Sequence, residues 1–423
     1  CEGCLFKMLM MIGREASRWQ RRSILTRCSS SLGGSAVKGA GRRLLTFLST
    51  VSEEEGLLRD AASAFARAEV LPRVRSSDEA GEMDPELIAA LFDAGLMGIE
   101  VETEHGGSGA SFTSALLVIE ELARVDPAVS VTVDIHNTVV NNCLRKWGSA
   151  DLKEQWLTPL ATTTLGSFAL SEAGAGSDAF SLKTKACRDG DDFVLGGEKM
   201  WISNSAEAGL FLVFANTADT YKGITCFTVP ADAPGLRVGK RESKLGIRAS
   251  STCPLSLDNV RVPSTAVLGE VGLGYKYAIE ILNEGRIGIA AQMVGLAQGC
   301  LDVTLPYLAD RKQFNTRLYD FQAVQHQVAQ LATDLEAARV LTYAAARAKE
   351  RGEDIAKHAA MAKLLAAQVA ERTASTCIEL MGGVGFTTDG AVEKFYRDAK
   401  VGSIYEGTSN IQLNTIAKAI AKE

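Results

Sequence analysis

Val324, Val328, Leu331, Leu335 and Ala338 recur at helical spacing, and the pattern runs on to Gly352. A second stretch of the same kind fills residues 355 to 381 and stops at Gly382-Gly383. Two long amphipathic helices joined by so short a connection must lie antiparallel, because each carries an apolar face that only a packed neighbour can cover. This confines the C-terminal part of the chain to a helical bundle.

The other end is helical too. Ser52-Glu53-Glu54-Glu55 is a capping-box pattern, followed by Leu57, Leu58, Ala61, Ala62 and Phe65 at helical spacing. Asp84-Pro85 reads as an N-cap and first-turn proline, and Gly95 closes that helix. From Ser167 the texture changes to short alternating runs (FVLGG-EKMWIS, GLFLVFANT, GITCFTVP) broken by turn residues, which predicts β-structure of sandwich or barrel type. No crossover helices separate these runs, which argues against a doubly wound sheet. The expected class is α+β, mostly α. Its parts are a helical domain over 51–165, a β domain over 166–270 and a helical bundle over 271–423.

With 423 residues, 46% of them hydrophobic, the chain can bury a large core. A net charge of -6 argues against a nucleic-acid partner. No apolar run is expected to span a membrane, since Gln292 and Gln298 break the richest one. Nine scattered cysteines and four isolated histidines offer no metal spacing beyond a lone Cys1-x-x-Cys4, and the odd cysteine count fits a reducing compartment. The first ~50 residues are Arg-rich, Ser-rich and nearly free of acids, the composition of a mitochondrial transit peptide or of a disordered basic tail.

Several stretches carry chemistry. SIYEGTSNIQLN, Ser403 to Asn414, holds one acid, Glu406, between Tyr405 and Gly407. Ser409-x-x-Gln412 then reads as a capping box, which puts Glu406 just outside a helix N-terminus. FALSEAGAGSDAF leaves a backbone almost bare of side chains, so its amides can approach a flat ring or a phosphate. Trp201-Ile202-Ser203 supplies an aromatic in the same domain that suits packing on a planar cofactor. Gly272-x-Gly274 lacks the third glycine of a dinucleotide fingerprint, and no phosphate-loop motif occurs. Arg311, at a helix junction, is suited to clamping a diphosphate. ELMGGVGF has more glycines than a helix cap needs, and Gly285 in Asn283-Glu284-Gly285-Arg286 interrupts a helical pattern.

Seven stretches, LSEAGAGSDAF, KMWIS, YKGIT, LGIRASSTCPL, LNEGRIGIAAQ, ELMGGVGF and IYEGTSNIQLNTIAKAI, occur in the order found in the acyl-CoA dehydrogenases. Residues 50 to 423 resemble that family, most closely its short/branched-chain branch. The resemblance implies an N-terminal helical domain, a central β domain and a C-terminal four-helix bundle, assembled as a homotetramer in the mitochondrial matrix. It also implies FAD as cofactor and electron-transfer flavoprotein as acceptor. The substrate would be a short or branched acyl-CoA such as 2-methylbutyryl-CoA, from isoleucine or fatty-acid breakdown, oxidised to the trans-2-enoyl-CoA.

By position, Phe168, Ala169, Leu170, Ser171, Glu172, Ala173, Gly174, Ala175, Gly176 and Ser177 would line the flavin, with Trp201, Ile202 and Ser203. Arg311, Gln322, Glu379, Leu380, Met381, Gly382 and Gly383 would reach the FAD of a neighbouring subunit, and Thr408, Ser409 and Asn410 would close the site. Ser177, Tyr221, Tyr275, Asn283, Glu284, Gly285, Arg286 and Gly407 match acyl-CoA contacts. Glu406 would be the base that removes the α-proton. In the isovaleryl-CoA branch the base stands at the position of Gly285, which here has no side chain to offer. Two rival readings are an acyl-CoA oxidase, typically longer at its C-terminus, and a helical acyl-CoA-binding scaffold without catalysis. No metal is implied.

Overall fold

A computed structural model describes residues 51–218 and 221–422. The expected leader and the Tyr221 side chain lie outside what is described. Helix α1 (Glu53–Phe65) begins with the expected capping box: the Glu55 N–H donates to Ser52 Oγ and the Ser52 N–H to the Glu55 carboxylate. That carboxylate also accepts from Ser111 Oγ at 2.8 Å and from Arg347 at 2.7 Å, tying the N-terminal helices to the bundle. The chain then turns through α2 (Val74–Ala80) and α3 (Pro85–Asp93). Asp84 caps α3, and Gly95, at φ +72°, follows its end. Helix α4 (Phe112–Ala123) is buried along its whole length, its acids included, and Glu120 accepts from Arg339 at 3.0 Å and from the Tyr343 hydroxyl at 2.7 Å. Helix α5 (Pro127–Asp134) continues through a buried π-turn, Ile135–Asn141, into α6 (Asn142–Trp147), and α7 (Ala150–Thr162) ends the domain.

Eight strands follow: β1 (Gly166–Ala169), β2 (Lys185–Asp189), β3 (Asp192–Ser203), β4 (Leu210–Asn216), β5 (Ile224–Pro230), β6 (Leu236–Val238), β7 (Thr252–Pro263) and β8 (Val267–Leu268). Their order is β6-β7-β3-β2-β4-β5-β8, with β1 also paired to β4. The two halves meet only at Lys185 and Asn216, and there the sheet folds over on itself. Phe193 of one half packs on Phe227 of the other at 5.2 Å, so the arrangement is a sandwich. Strand β4 is buried on both faces. Phe211, Val213 and Ala215 fill the sandwich, while Leu210, Leu212 and Phe214 face the helices.

Helix α8 (Gly274–Asp310) runs without interruption through Asn283–Arg286, so Gly285 does not break it. By length and composition it could cross a membrane, contrary to the expectation from its glutamines. Within this fold, 89% of its apolar window is buried. A hairpin of β9 (Lys312–Gln313) and β10 (Thr316–Arg317) turns at Phe314 and Asn315, both at positive φ. Helices α9 (Gln322–Glu350) and α10 (Ala356–Met381) complete the long bundle, and α11 (Gly383–Phe386), α12 (Val392–Ala399) and α13 (Ser409–Ile420) close the chain.

Close packing of α8 on α4 depends on two glycines. A Cβ at Gly295 would overlap the Glu120 carbonyl oxygen, and one at Gly299 that of Arg124. Backbone cannot move aside as a flexible side chain would. Gly295→Ala is therefore expected to cost about 1–3 kcal/mol of stability, read as a lower denaturation midpoint with an unchanged slope.

Candidate active site

Glu406 lies in the loop between α12 and α13, with backbone φ +51°, followed by Gly407 at φ +86°. A side chain at Gly407 would stand 2.8 Å from Gln412 Nε2, so the turn requires glycine. The expected capping box is displaced by one residue. Thr408 is the N-cap, and its Oγ1 accepts from the Ile411 N–H at 3.3 Å. Gln412 does not reach back to Ser409. It is fully buried and donates to the carbonyls of Glu406 (3.0 Å) and Gly407 (2.8 Å), so it supports the loop itself.

The Glu406 side chain reaches over α8, where Gly285 leaves room for it. A Cβ on Gly285 would be 3.1 Å from Glu406 Oε2 and 3.2 Å from Val139. That Oε2 is buried and has no hydrogen-bond partner among the described residues. Burial pushes the carboxyl up to about 7, against the pull of Arg286 and then Lys363. Among the opposing influences, burial therefore wins. Lys363, fully buried on α10, donates to the Gly407 carbonyl at 2.8 Å.

A second acid lies one turn along α8. Asp134 packs where a side chain on Gly288 would be, and burial holds its carboxyl well above the usual range, with the Glu406 charge adding to the effect. It accepts from Thr138 Oγ1 at 2.7 Å. Next to Glu406, the Tyr405 hydroxyl donates to Gln292, which in turn donates to the Pro127 carbonyl at 2.7 Å.

The glycine-rich loop leaves the end of β1. Phe168 packs on Phe214 at 4.8 Å, and Ala169 and Leu170 are buried. Glu172 and Ala175 bond to each other through their backbones, and the Met200 N–H donates to the Ser171 carbonyl at 2.9 Å. Ala173, Gly174, Gly176 and Ser177 face outward, and nothing lies within 4 Å of where side chains on the two glycines would be. Trp201 stands beside this loop at a register shift in β3, with φ +59° and 52% exposed. Ile202 is buried, and the Ser203 carbonyl accepts from Ser167 Oγ at 2.6 Å. The structure thus brings the glycine-rich loop and the tryptophan together.

The Glu172 side chain turns inward. It accepts from the amides of Lys183 (2.7 Å) and Thr184 (3.2 Å) and from buried Lys199 (2.7 Å), whose ammonium also reaches the Leu170 carbonyl. Burial raises the Glu172 carboxyl, and the Lys199 charge together with the hydrogen bonds from Lys199, Thr184 and Lys183 outweighs it, leaving the group below its usual value. Burial in turn lowers Lys199 to about 8.

Tyr275, at the start of α8, meets Phe180 edge-on at 6.5 Å. Asn283 accepts from Arg286 at 2.8 Å. Glu284, expected on the substrate side, is turned away from Glu406. Its buried carboxylate pairs with Lys146 and Lys349 and accepts from Asn142. Arg311, Gln322, Glu379, Gly382 and Gly383 are exposed, Leu380 is half-buried and Met381 is buried beside Thr304. All of them sit at one end of the long bundle, away from the Glu406 loop within a single chain. Ser409 is half-buried and Asn410 exposed.

Three residues escaped the sequence reading. Lys363 follows Ala359, Ala360 and Ala362 on a buried face, Asp134 lies inside the apolar run VSVTVDIHNTVV, and Lys199 is a buried position of an alternating strand. An ionisable residue inside an apolar pattern was the available signal in each case. Lys199→Met, which strands the Glu172 carboxylate, should cost about 3–5 kcal/mol in denaturant unfolding. Adding Glu172→Gln should recover part of that loss.

Three family models cover the chain: acyl-CoA dehydrogenase N-terminal domain over residues 52–164, middle domain over 167–260 and C-terminal domain over 272–421. The chain is 57% identical to the mitochondrial short/branched chain specific acyl-CoA dehydrogenase of Rattus norvegicus, over 89% of this chain and 88% of that one. Among solved structures, butyryl-CoA dehydrogenase from Megasphaera elsdenii superposes with a TM-score of 0.86 at 36% identity, covering 88% of this chain and 98% of that one. A glutaryl-CoA dehydrogenase from Mycobacterium smegmatis in complex with FADH2 gives 0.85 at 30% identity, over 90% and 97%.

Proposed function

The chain belongs to the acyl-CoA dehydrogenase family, and we propose that Glu406 is the base with which it desaturates short and short-branched acyl-CoA thioesters. The family reaction is an FAD-dependent oxidation, and the residues present fit that cofactor. Bare backbone at Gly174 and Gly176 and an exposed, strained Trp201 make a flat, accessible cradle beside the sheet. Phe168–Ser177, Trp201–Ser203 and Thr408–Asn410 would hold the flavin, with Arg311, Gln322 and Glu379–Gly383 contributed by a neighbouring copy. FAD, when bound, supplies the acceptor for the hydride that leaves the β-carbon.

The observation that carries the assignment is the Glu406 carboxylate, desolvated over Gly285, with one buried oxygen free of any partner. An oxygen so placed has lost water and gained no donor, so it is poised to take a proton from carbon. The α-proton goes to that oxygen as the β-hydride departs, leaving the trans-2-enoyl thioester and a neutral Glu406. A carboxyl near 7 accepts the proton more readily than an ordinary one while remaining substantially ionised at neutral pH. Asn283 and Arg286, bonded to each other beside this carboxyl, and Tyr275 packed on Phe180 would line the thioester's path with Ser177.

The preferred substrate is 2-methylbutyryl-CoA or a close relative, as the short/branched-chain likeness indicates. Electron-transfer flavoprotein is assigned as the oxidant of the reduced enzyme, and the mitochondrial matrix as the location. The homotetramer is assigned on the family likeness, and a neighbouring copy would have apolar surface to cover: Phe314 and Phe386 are 92% and 81% exposed at the end that carries Arg311, Gln322 and Gly382–Gly383. Apolar side chains of that size call for a covering partner.

Glu406→Gln keeps the shape of the side chain and removes its basicity. The variant should carry FAD and bind 2-methylbutyryl-CoA, while anaerobic flavin bleaching slows by at least ~10²–10⁴-fold. Bleaching at the parent rate would overturn the assignment. In the parent enzyme kcat/KM should rise with pH through about 7, because the carboxyl is protonated and idle below that value. Arg311→Ala should weaken FAD binding by about ten- to a hundredfold and loosen the assembly together, measured by flavin absorbance and gel filtration on one sample.

A further inference from the structure

Lys363 is a lysine with no exposed surface, set in α10 among Ala359, Ala360, Ala362, Ala366 and Ala367. Burying an ammonium is costly unless something specific receives it. One hydrogen bond is made: Nζ donates to the carbonyl of Gly407 at 2.8 Å. That carbonyl also accepts from Gln412, and the preceding one, of Glu406, accepts from Gln412 as well. Two consecutive residues at positive φ, the first of them not glycine, are thus pinned through their carbonyls by two fully buried polar side chains. Among the described residues no carboxylate pairs with Lys363 at salt-bridge distance, although Glu406 contributes the main attraction on its charge.

We propose that Lys363 is a positioning residue for the base: it fixes the Glu406–Gly407 turn through the Gly407 carbonyl and supplies a buried positive charge facing the Glu406 carboxylate. The inference rests on the reading of Glu406 as the base.

The charges around Glu406 come from every side. Arg286 faces it from α8 and Lys363 from α10, while Asp134 faces it from α5 and Tyr405 adjoins it in the chain. Burial drives the Asp134 carboxyl and the Tyr405 hydroxyl each well above its usual value, and neither offers Glu406 a positive charge. Only the two cations therefore oppose the desolvation of Glu406. Arg286 is tied to Asn283 and touches no atom of the turn by hydrogen bond, so it contributes charge without holding the loop. Lys363 does both. Burial lowers its own ammonium to about 8, still above neutrality, so it is mostly charged where the base works. Removing this charge removes one of two stabilising influences on the carboxylate, and the base then ionises at higher pH. Removing the donor frees the Gly407 carbonyl and lets the turn relax from its left-handed conformation.

The test uses the FAD-loaded enzyme with Lys363→Met, Lys363→Arg and Glu406→Gln. With Lys363→Met, the acid limb of kcat/KM should move up by about one pH unit, a loss of about tenfold below the midpoint. The plateau above it should fall about tenfold as well. Infrared difference spectra between each enzyme and its Glu406→Gln counterpart should show the carboxyl's own titration moving by the same amount, without turnover. Lys363→Arg, which keeps charge and donor, should bring the limb back towards the parent position. A lower melting temperature with an unmoved limb and unmoved carboxyl titration would make Lys363 a packing residue and overturn the proposal. If Lys363→Met fails to load flavin, Lys363→Gln carries the same test, since loss of charge alone must shift the limb. Glu406→Gln separates the two levels. If it retains turnover, the base assignment fails and this proposal with it. If it is inactive while Lys363→Met behaves as the parent, only the proposal falls.

Discussion

One face of helix α8 has almost no side chains, and the rest of the molecule is arranged around that bareness. Gly285, Gly288, Gly295 and Gly299 share a stripe, and a Cβ at any of them would meet something already there. At the far end the occupants are the α4 carbonyls of Glu120 and Arg124, so two helices approach to backbone contact. At the near end the occupants are carboxyl groups, Asp134 over Gly288 and Glu406 over Gly285. The same device that lets the N-terminal domain close on the bundle also opens the space in which Glu406, the proposed base, sits. Packing and chemistry here have a common cause, the removal of four side chains from one helix face.

Electrostatics sorts the acids that surround this helix. Glu284 and Gly285 are neighbours in sequence, yet one residue's rotation of about 100° separates their surroundings. Glu284 points into a cluster with Lys146, Lys349 and Asn142 that satisfies its charge. On the Gly285 side the nearest cations, Arg286 and Lys363, hold Glu406 only loosely, and one of its oxygens has no donor. A paired carboxylate is a poor base because its partners must be given up as the proton arrives. An unpaired one, kept charged by cations at a remove, avoids that cost. Glu172 shows the opposite extreme, with two amides and an ammonium on one carboxylate, and its effect is to fix the glycine-rich loop.

How much of this was legible in sequence follows from the range of the forces involved. The capping box at Ser52, the α3 cap at Asp84 and the long helices depend on neighbours three or four residues away, and each reads directly. The final helix read almost correctly. Thr408 and Ser409 are both good caps, and the choice between them is made by Gln412, which is drawn to the Glu406 and Gly407 carbonyls instead of to the helix. Glu284 shares a motif with Asn283, Gly285 and Arg286, and only the helix rotation shows that its carboxylate pairs with Lys146 and Lys349 instead of facing Glu406. The partners of Glu172 and Glu406 were not legible. Lys199 and Lys363 are tens of positions away in sequence, and a single charged residue in an apolar pattern does not say which carbonyl or carboxylate it will meet. The π-turns at Ala66–Val70 and Ile135–Asn141 left no mark either, since they extend helices whose apolar pattern is already continuous.

The geometry also bears on which element can carry the proposed base. The Glu406 oxygen lies 3.1 Å from where the first side-chain atom of residue 285 would be. A longer side chain on α8 and the Glu406 side chain would compete for one space, so only one carboxylate can occupy it. A base on the helix would have rigid backbone and no left-handed residue to maintain. A base on the loop must hold Glu406 at φ +51°, a conformation that costs roughly 1–2 kcal/mol for a residue with a side chain. In this chain the cost is offset by buried donors on the loop's carbonyls, which a helix-borne base would not need. Gln412 and Lys363 are therefore the counterpart of the glycine at 285: the bare helix makes room for the carboxylate, and the two buried donors bring it there.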